Sequence, residues 1–195
     1  MQNIKYYNDN SIKYVNSTFN TNMSLLYDKF ETYLKPKCHI LDLGCGSGRD
    51  SLYFHNKNYK VTSVDGSNEM IKYCETILKN KIIHSTFKDF NASYKFDGIW
   101  ACASLLHVKK ENIKNIIFKY ISFLNIEGIF FISFKDRDTD FSKDGRDFTC
   151  FSKYSLENLL KQFDNIKILE FVETTDVRDN REDEKWISVI FKKIL

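Results

Sequence analysis

Short apolar stretches alternate with longer amphipathic ones between residues 38 and 134 of this chain. The short stretches are rich in β-branched and aromatic residues and predict buried strands, whereas apolar residues at steps of three and four predict helices between them. Alternation of this kind is typical of βαβ units around a parallel sheet. The predicted strands are residues 38–43, 59–64, 81–85, 96–101 and 129–134.

The strongest helical pattern covers residues 113–124, between the fourth and fifth strands. A second helix is predicted over residues 67–79, with Ser67 as its N-cap and an apolar stripe that includes Met70. A third is predicted to follow Ser155 and to continue to Phe163. These helices need a sheet to cover their apolar faces, so they support the α/β interpretation.

The two ends of the chain have patterns of their own. Near the C-terminus, residues 166–172 and 186–191 predict an antiparallel hairpin that closes the sheet. The N-terminal 35 residues show no strong strand pattern and end in a helical stretch over residues 23–34. We therefore predict one domain over residues 1–195, with residues 1–35 as a helical lid segment and residues 36–195 as the core.

Composition narrows the class of protein. The net charge is only +3, and the basic residues are spread along the chain, which argues against a nucleic-acid partner. There is no apolar run of the roughly 20 residues that a membrane helix needs, and the N-terminus is polar, so we expect a cytoplasmic protein that binds no membrane. The five cysteines form no C-x-x-C pair, which favours reduced thiols and predicts no metal site.

The most informative motif is a strand that runs into three alternating glycines, Gly44, Gly46 and Gly48. Glycine allows a positive φ angle and lets a ligand approach the backbone, and the following helix would direct free N–H groups at that ligand. A dinucleotide fingerprint would need glycine at position 49, where Arg49 stands. The spacing G-x-G-x-G, with Asp42 before it, therefore argues against a nicotinamide cofactor.

This glycine motif resembles motif I of the class I S-adenosylmethionine-dependent methyltransferases. Residues 64–70 and 96–107 are similar to later segments of the same family, and residues 46–54 resemble its tellurite-resistance branch. The resemblance implies a Rossmann-like three-layer sandwich with a seven-stranded, mostly parallel sheet and an antiparallel C-terminal hairpin. It also implies an enzyme that transfers a methyl group from S-adenosylmethionine, its cofactor.

The resemblance assigns cofactor contacts by position. Asp42 would hold the methionyl ammonium through water, Asp65 would accept the ribose hydroxyls, and Met70 would press on the adenine. The family usually has an acid near the adenine amino group, but here Thr86 and then Phe87 occupy that region. The predicted cofactor-binding residues are Asp42, Gly44, Cys45, Gly46, Asp65, Gly66, Ser67, Met70, Thr86, Phe87 and Ala101.

The methyl acceptor is less constrained by the sequence. His107 follows the fourth strand and is the candidate general base, although a structural role in that loop is the alternative. Tyr7 and Tyr14 in the lid segment, together with Arg146 and Arg178 in loops at the carboxyl ends of strands, are the candidate substrate residues. An arginine pair would suit a small anionic acceptor, whereas a solvated charge run is the alternative.

Three readings of function therefore remain at this point. The first is methyl transfer to a small molecule, which the tellurite-resistance resemblance implies to be an anion. The alternatives are methyl transfer to a protein and a non-catalytic module that binds S-adenosylmethionine. The sequence leaves the oligomeric state open.

Overall fold

A computed structural model describes residues 2–78 and 82–195 of the chain, and these residues form nine strands. The strands are β1 His39–Leu43, β2 Lys60–Asp65, β3 Ile83–His84, β4 Phe96–Ala101, β5 Leu124–Lys135, β6 Phe141–Lys143, β7 Arg146–Phe148, β8 Ile166–Thr175 and β9 Lys185–Lys193. Seven of them make one sheet in the order β3-β2-β1-β4-β5-β9-β8, and β6 pairs with β7 alone.

Strand direction confirms the predicted fold class. The pairs β3–β2, β2–β1, β1–β4 and β4–β5 are parallel, whereas β9 is antiparallel to both β5 and β8. Because β9 lies between β5 and β8, those two strands point the same way. The loops after β1, β2, β4, β5 and β8 therefore leave the sheet at one edge, which is where open α/β sheets bind ligands.

Helices cover both faces of the sheet. They are α1 Gln2–Asp9, α2 Ser11–Thr18, α3 Ser24–Glu31, α4 Arg49–Asn56, α5 Asn68–Leu78, α6 Lys110–Ser122 and α7 Lys153–Leu160, with a short 3-10 turn at Leu105–His107. Side chains from α6 and α7 pack against one face of the sheet, and side chains from α3 and α4 pack against the other. Successive side chains of each central strand point to opposite faces of the sheet, so both faces are apolar and both are covered by helices. This gives the three layers of the sandwich.

The strongest predicted helix begins three residues earlier and ends two residues earlier than the pattern suggested. α6 ends at Ser122, and Leu124 begins β5 by pairing with Phe96. Leu124 lies three residues after Ile121, as a residue on the same helix face would, but it is buried as the first residue of a strand. A register shift follows, with Glu127 at φ 67°, and this bulge makes β5 longer than predicted.

The hairpin β6–β7 was not predicted, because Arg146 and its neighbours were interpreted as an irregular loop. Its turn is formed by Asp144 and Gly145, both at positive φ. An Asp-Gly pair is one of the strongest hairpin patterns in a sequence. Each strand has only three residues, too few for an alternating apolar pattern to be visible.

Smaller differences concern helix ends. Ser67 accepts a hydrogen bond from the Met70 N–H at 3.3 Å and so acts at the start of α5 as predicted. α7 begins two residues before Ser155, because Ser152 is its N-cap. Residue 79 of the predicted second helix and residue 81 of the predicted third strand lie outside the described residues.

No helix in the described parts of the chain is long and apolar enough to span a membrane.

The predicted lid segment contains three helices with two different placements. α3 buries Tyr27 and Phe30 against Phe54 and Trp100, so it is a layer of the core. α1 and α2 instead lie over the carboxyl edge of the sheet, where α1 contacts α5 and β7. Only these first two helices have the position expected of a lid.

Candidate functional site

The glycine turn joins β1 to α4 in a conformation that requires glycine. Gly44, Gly46 and Gly48 have φ angles of 80°, 50° and 78°. A Cβ atom on Gly44 would lie 2.5 Å from Ser104 Cβ, which is a severe clash, whereas one on Gly46 would meet only Tyr14, at 3.6 Å. The turn is therefore packed tightly at Gly44 and is open at Gly46, where a ligand can approach.

Asp65, at the end of β2, ties two turns together. Its carboxylate accepts the Gly46 N–H at 2.9 Å and the Ser67 N–H at 2.8 Å. Burial raises the pKa of this carboxyl group, and the backbone donors oppose that rise. The acid predicted to hold a ribose is thus fixed in place by the glycine turn on one side and by α5 on the other.

Asp42 faces inward rather than toward the open edge. It is buried and accepts a hydrogen bond from Ser51 Oγ at 2.5 Å, and Ser51 in turn is 2.7 Å from Ser63 Oγ. Burial and the charge of nearby Asp50 raise the pKa of Asp42 to about 8. Its carboxyl group therefore braces β1 against α4, behind the turn that it was predicted to serve.

Replacing Asp42 by asparagine is expected to flatten the pH dependence of stability. The pKa of an aspartate in an unfolded chain is about 3.9, whereas in the fold it is raised to about 8. The protonated carboxyl thus stabilises the fold below about pH 4, and this contribution is lost as the pH rises through about 8. Urea denaturation at several pH values should show the variant gaining stability relative to the wild type as the pH rises. A difference that stays constant would contradict the raised pKa.

A cavity of about 580 Å³ opens at the carboxyl edge beside the glycine turn. Gly44, Cys45 and Gly46 form part of its wall, and Tyr7 and Tyr14 cover it from α1 and α2. His107, Arg146 and Arg178 also line it. The fold therefore brings every predicted acceptor residue into the same cavity as the glycine turn.

The other predicted cofactor residues lie beside this cavity and do not line it, because α1 lies over part of them. Asn8 accepts a hydrogen bond from Ser67 Oγ at 2.7 Å, and Ile4 lies against Gly66. Met70 is fully buried below them. α1 thus covers the start of α5, the region predicted to hold the ribose and adenine.

Three further predicted residues have structural contacts of their own. Thr86 Oγ1 donates to Asp89 at 2.6 Å, and the Phe87 ring packs beside Gly44. Ala101 is fully buried at the carboxyl end of β4. Phe87 therefore contacts the glycine turn, whereas the Thr86 hydroxyl is already engaged by Asp89.

His107 is held between a side chain and the backbone. Its Nε2 atom is 2.7 Å from the Tyr7 hydroxyl, and its Nδ1 atom is 3.0 Å from the Asp147 carbonyl oxygen. A carbonyl can only accept, so Nδ1 donates and Nε2 accepts the Tyr7 proton. Burial lowers the pKa of His107 to about 4, which keeps the ring neutral at physiological pH.

All five arginines of the chain line this cavity: Arg49, Arg137, Arg146, Arg178 and Arg181. Most lysines lie elsewhere, and the lining contains eight cationic side chains against five acidic ones. Arginine presents a planar fork of donors that matches oxyanions. The cavity wall is therefore cationic, although the charge of the whole chain is nearly balanced.

Much of this positive charge is already paired. Arg178 donates to both Asp176 oxygens, at 2.8 and 2.5 Å, and Lys135 donates to Asp176 at 3.0 Å. Arg49 makes the same kind of two-point contact with Asp50. These pairs hold their arginines in fixed orientations at the cavity wall.

Buried polar atoms without a hydrogen-bond partner gather at the same place. Within residues 2–78 and 82–195, they are Ser104 Oγ, Arg146 Nε and Ser188 Oγ. Arg146 and Ser188 line the cavity, and Ser104 packs against Gly44. Because buried polar groups are normally paired, this concentration indicates a place where a ligand supplies the missing contacts.

The sequence interpretation predicted Arg146 and Arg178 for this site, but it missed Ser104, Ser188 and the gathering of all five arginines. An available pattern would have revealed the latter, since all five arginines lie in the segments that follow β1, β5 and β8, whose carboxyl ends lie at this edge. The two serines had no such pattern, because only the packing shows that their hydroxyls lack partners.

Comparison with known proteins places this arrangement among methyltransferases. The sequence model of the family described as "Tellurite resistance protein TehB" matches residues 6–190. A protein of Haemophilus influenzae named "Probable S-adenosyl-L-methionine-dependent methyltransferase TehB" is 30% identical over 171 residues, which are 80% of this chain. The chain spans 57% of the length of that relative.

Solved structures share the fold. A Burkholderia thailandensis 1,6-didemethyltoxoflavin-N1-methyltransferase, with bound 1,6-didemethyltoxoflavin and S-adenosylhomocysteine, matches with a TM-score of 0.79 at 18% identity, covering 98% of this chain and 85% of the other. TehB from Haemophilus influenzae matches with a TM-score of 0.70 at 23% identity, covering 94% of this chain and 67% of the other. At these identities the structural matches establish the fold.

Proposed function

We propose, from the fact that this chain belongs to the tellurite resistance protein TehB family, that it transfers the methyl group of S-adenosylmethionine to a small anionic molecule. Membership of the family supports the predicted class I methyltransferase type, with S-adenosylmethionine as its cofactor. The observation that carries the acceptor class is the gathering of all five arginines at one cavity beside the glycine turn.

The residues around the turn fit this cofactor. Gly46 leaves room for the methionyl end, and the unpartnered Ser104 hydroxyl lies behind it at Gly44. Asp65 would accept the ribose hydroxyls, and Gly66, Ser67 and Met70 would surround the base. Asp42 acts indirectly, by bracing the turn. α1 serves as the lid and releases Gly66 and Ser67 as the cofactor enters.

The chemistry then depends mainly on position. When bound, S-adenosylmethionine supplies an electrophilic methyl group on a sulfonium sulfur. The cavity wall holds the acceptor atom in line with the bond that breaks, and such positioning contributes roughly 7–11 kcal/mol. Tyr14 and the lid exclude water. An anionic acceptor reacts without losing a proton, and His107, whose pKa is lowered to about 4, accepts the hydrogen bond of the Tyr7 hydroxyl and so holds that hydroxyl at the cavity wall.

Two measurements test the proposal. Calorimetric titration is expected to show binding of S-adenosylmethionine and of S-adenosylhomocysteine, and no binding of NADH. An assay for S-adenosylhomocysteine release should then show turnover with anionic acceptors, in a panel that contains tellurite, selenite, organic acids, amines and thiols.

The contrary outcomes are separate. Binding of NADH alone would reject the cofactor. Binding of S-adenosylmethionine without turnover on any acceptor would favour a non-catalytic module. Turnover confined to amines or to peptide substrates would reject the anionic small-molecule acceptor and keep the methyl transfer.

A further inference from the structure

Arg146 differs from the neighbouring cations of the cavity because its carboxylate partner is a long contact with a largely exposed side chain. Its side chain is 9% exposed, and its nearest acid, Asp144, is 3.5 Å away and mostly in solvent. The guanidinium lies 4.1 Å from the centre of the Tyr6 ring and 5.2 Å from that of Phe148. Stacking of this kind fixes the plane of the guanidinium but does not neutralise its charge.

The neighbouring cations are engaged in a way that Arg146 is not. Arg178 and Lys135 share Asp176, and Arg49 is held by Asp50. Burying a charge without a partner is costly, so a site that does it normally receives the opposite charge from a ligand. Arg146 Nε, which has no hydrogen-bond partner, supplies one of the unused donors.

The size and surface of the cavity describe the rest of that ligand. A volume of about 580 Å³ falls within the roughly 300–1,000 Å³ of sites that enclose drug-sized organic molecules. The methionyl end of the cofactor would take the part beside Gly44 and Gly46, and the acceptor would take the part that reaches Arg146 and Trp186. Aromatic side chains line the cavity between its charged groups: Tyr7, Tyr14, Phe141, Phe148 and Trp186. Aromatic walls favour a flat, apolar body.

We infer that Arg146 is the anchor for the acidic group of the acceptor, and that the acceptor is a flat organic acid, such as an aromatic carboxylate, rather than an inorganic oxyanion. This inference rests on the proposed function, since the acceptor must lie beside the bound cofactor. Arg146 would hold the carboxylate through two parallel hydrogen bonds, a geometry that arginine supplies and lysine does not.

Binding to the protein loaded with S-adenosylhomocysteine tests the inference without needing turnover. The probes are anthranilate and salicylate, each paired with its uncharged carboxamide, and tellurite. Charge-assisted hydrogen bonds of this kind correspond to about ten- to a hundredfold in affinity. The wild type should therefore prefer each acid to its amide by that factor, and it should bind tellurite more weakly than the acids.

Variants assign the preference to one side chain. Arg146→Met should bring acid and amide to within about twofold of each other, and Arg146→Lys should keep part of the preference. Lys114→Met removes an equal charge from an exposed site on α6 and should change nothing. If Arg146→Met does not fold, a full preference retained in Arg146→Lys would reject the two-bond anchor.

Each of the remaining outcomes would reject a specific part of the inference. Equal affinity of the wild type for acid and amide, or a preference that survives in Arg146→Met, would reject the anchor. Tighter binding of tellurite than of any acid would reject the organic acceptor. Loss of S-adenosylhomocysteine affinity together with the preference would show that Arg146 only holds α1. Failure of the wild type to bind S-adenosylhomocysteine would instead reject the proposed function itself.

Discussion

Gly46→Arg is expected to abolish the binding of S-adenosylmethionine while the protein remains folded. Gly46 is the part of the glycine turn that faces open space, and a new side chain there would fill the approach to the turn and place a positive charge beside the cationic cofactor. A positive φ costs an L-residue roughly 1–2 kcal/mol, which is less than the roughly 5–15 kcal/mol of a typical domain's stability. Calorimetry should show a loss of about a hundredfold or more, that is, about 3 kcal/mol.

Substitutions at two other glycines distinguish a blocked binding surface from a general loss of stability. Gly145→Arg introduces the same side chain at φ 75° in open space, away from the glycine turn, and should leave cofactor affinity unchanged. Gly44→Ala creates a 2.5 Å clash with Ser104 Cβ and should lower the melting temperature more than Gly46→Arg does. Normal cofactor binding by Gly46→Arg would show that the turn is not the binding surface.

The fold could be predicted from the sequence where the pattern of apolar residues fitted only one kind of element. The buried strands around Ile99 and Phe131 have continuous apolar runs, because helices cover both faces of the sheet there. Leu124 misled the helix prediction, since it fits the helical step and is also buried by the sheet. The hairpin at Gly145 was missed because three-residue strands show no period.

The candidate site could be predicted in part, for a different reason. Motifs identify residues by their type and spacing, so Gly46 and Asp65 were found together, and the structure joins them by a hydrogen bond. Motifs carry no information on where a side chain turns, and Asp42 turned inward to Ser51. The contact between Tyr7 and His107 spans 100 residues and could only come from the folded chain.

The arginines show how the fold changes the meaning of charge. In the sequence, basic residues look evenly spread and argue against a nucleic-acid partner, although Arg146 and Arg178 were candidates for binding a small anion. The arginines follow strands that point to the same edge, so the fold collects them at one cavity. A balanced net charge therefore coexists with a cationic acceptor wall. The orientation of that wall depends on one buried carboxylate.

Asp176→Ala is expected to destabilise the protein by about 3–5 kcal/mol, the usual cost of removing one partner of a buried ion pair. Asp176 is 7% exposed and accepts hydrogen bonds from Lys135, Arg178 and Trp186 Nε1. Its loss leaves Lys135 buried with only Glu184 as a partner. Urea denaturation measures the change, and Asp179→Ala, at an exposed neighbouring acid, should shift stability by less than about 0.5 kcal/mol.

The contribution of Asp176 to the free energy of unfolding should also depend on pH, in a direction that the lowered pKa fixes. Burial alone would raise the pKa of Asp176, but hydrogen bonds from Arg178 and Lys135 outweigh it and hold the pKa below its ordinary value. The ionised form thus stabilises the fold above about pH 4, and this contribution is lost as the pH falls through the lowered value. The gap between wild type and Asp176→Asn should therefore narrow on acidification, whereas Asp179→Ala should follow the wild type. A gap that widens would show that Asp176 does not neutralise the wall.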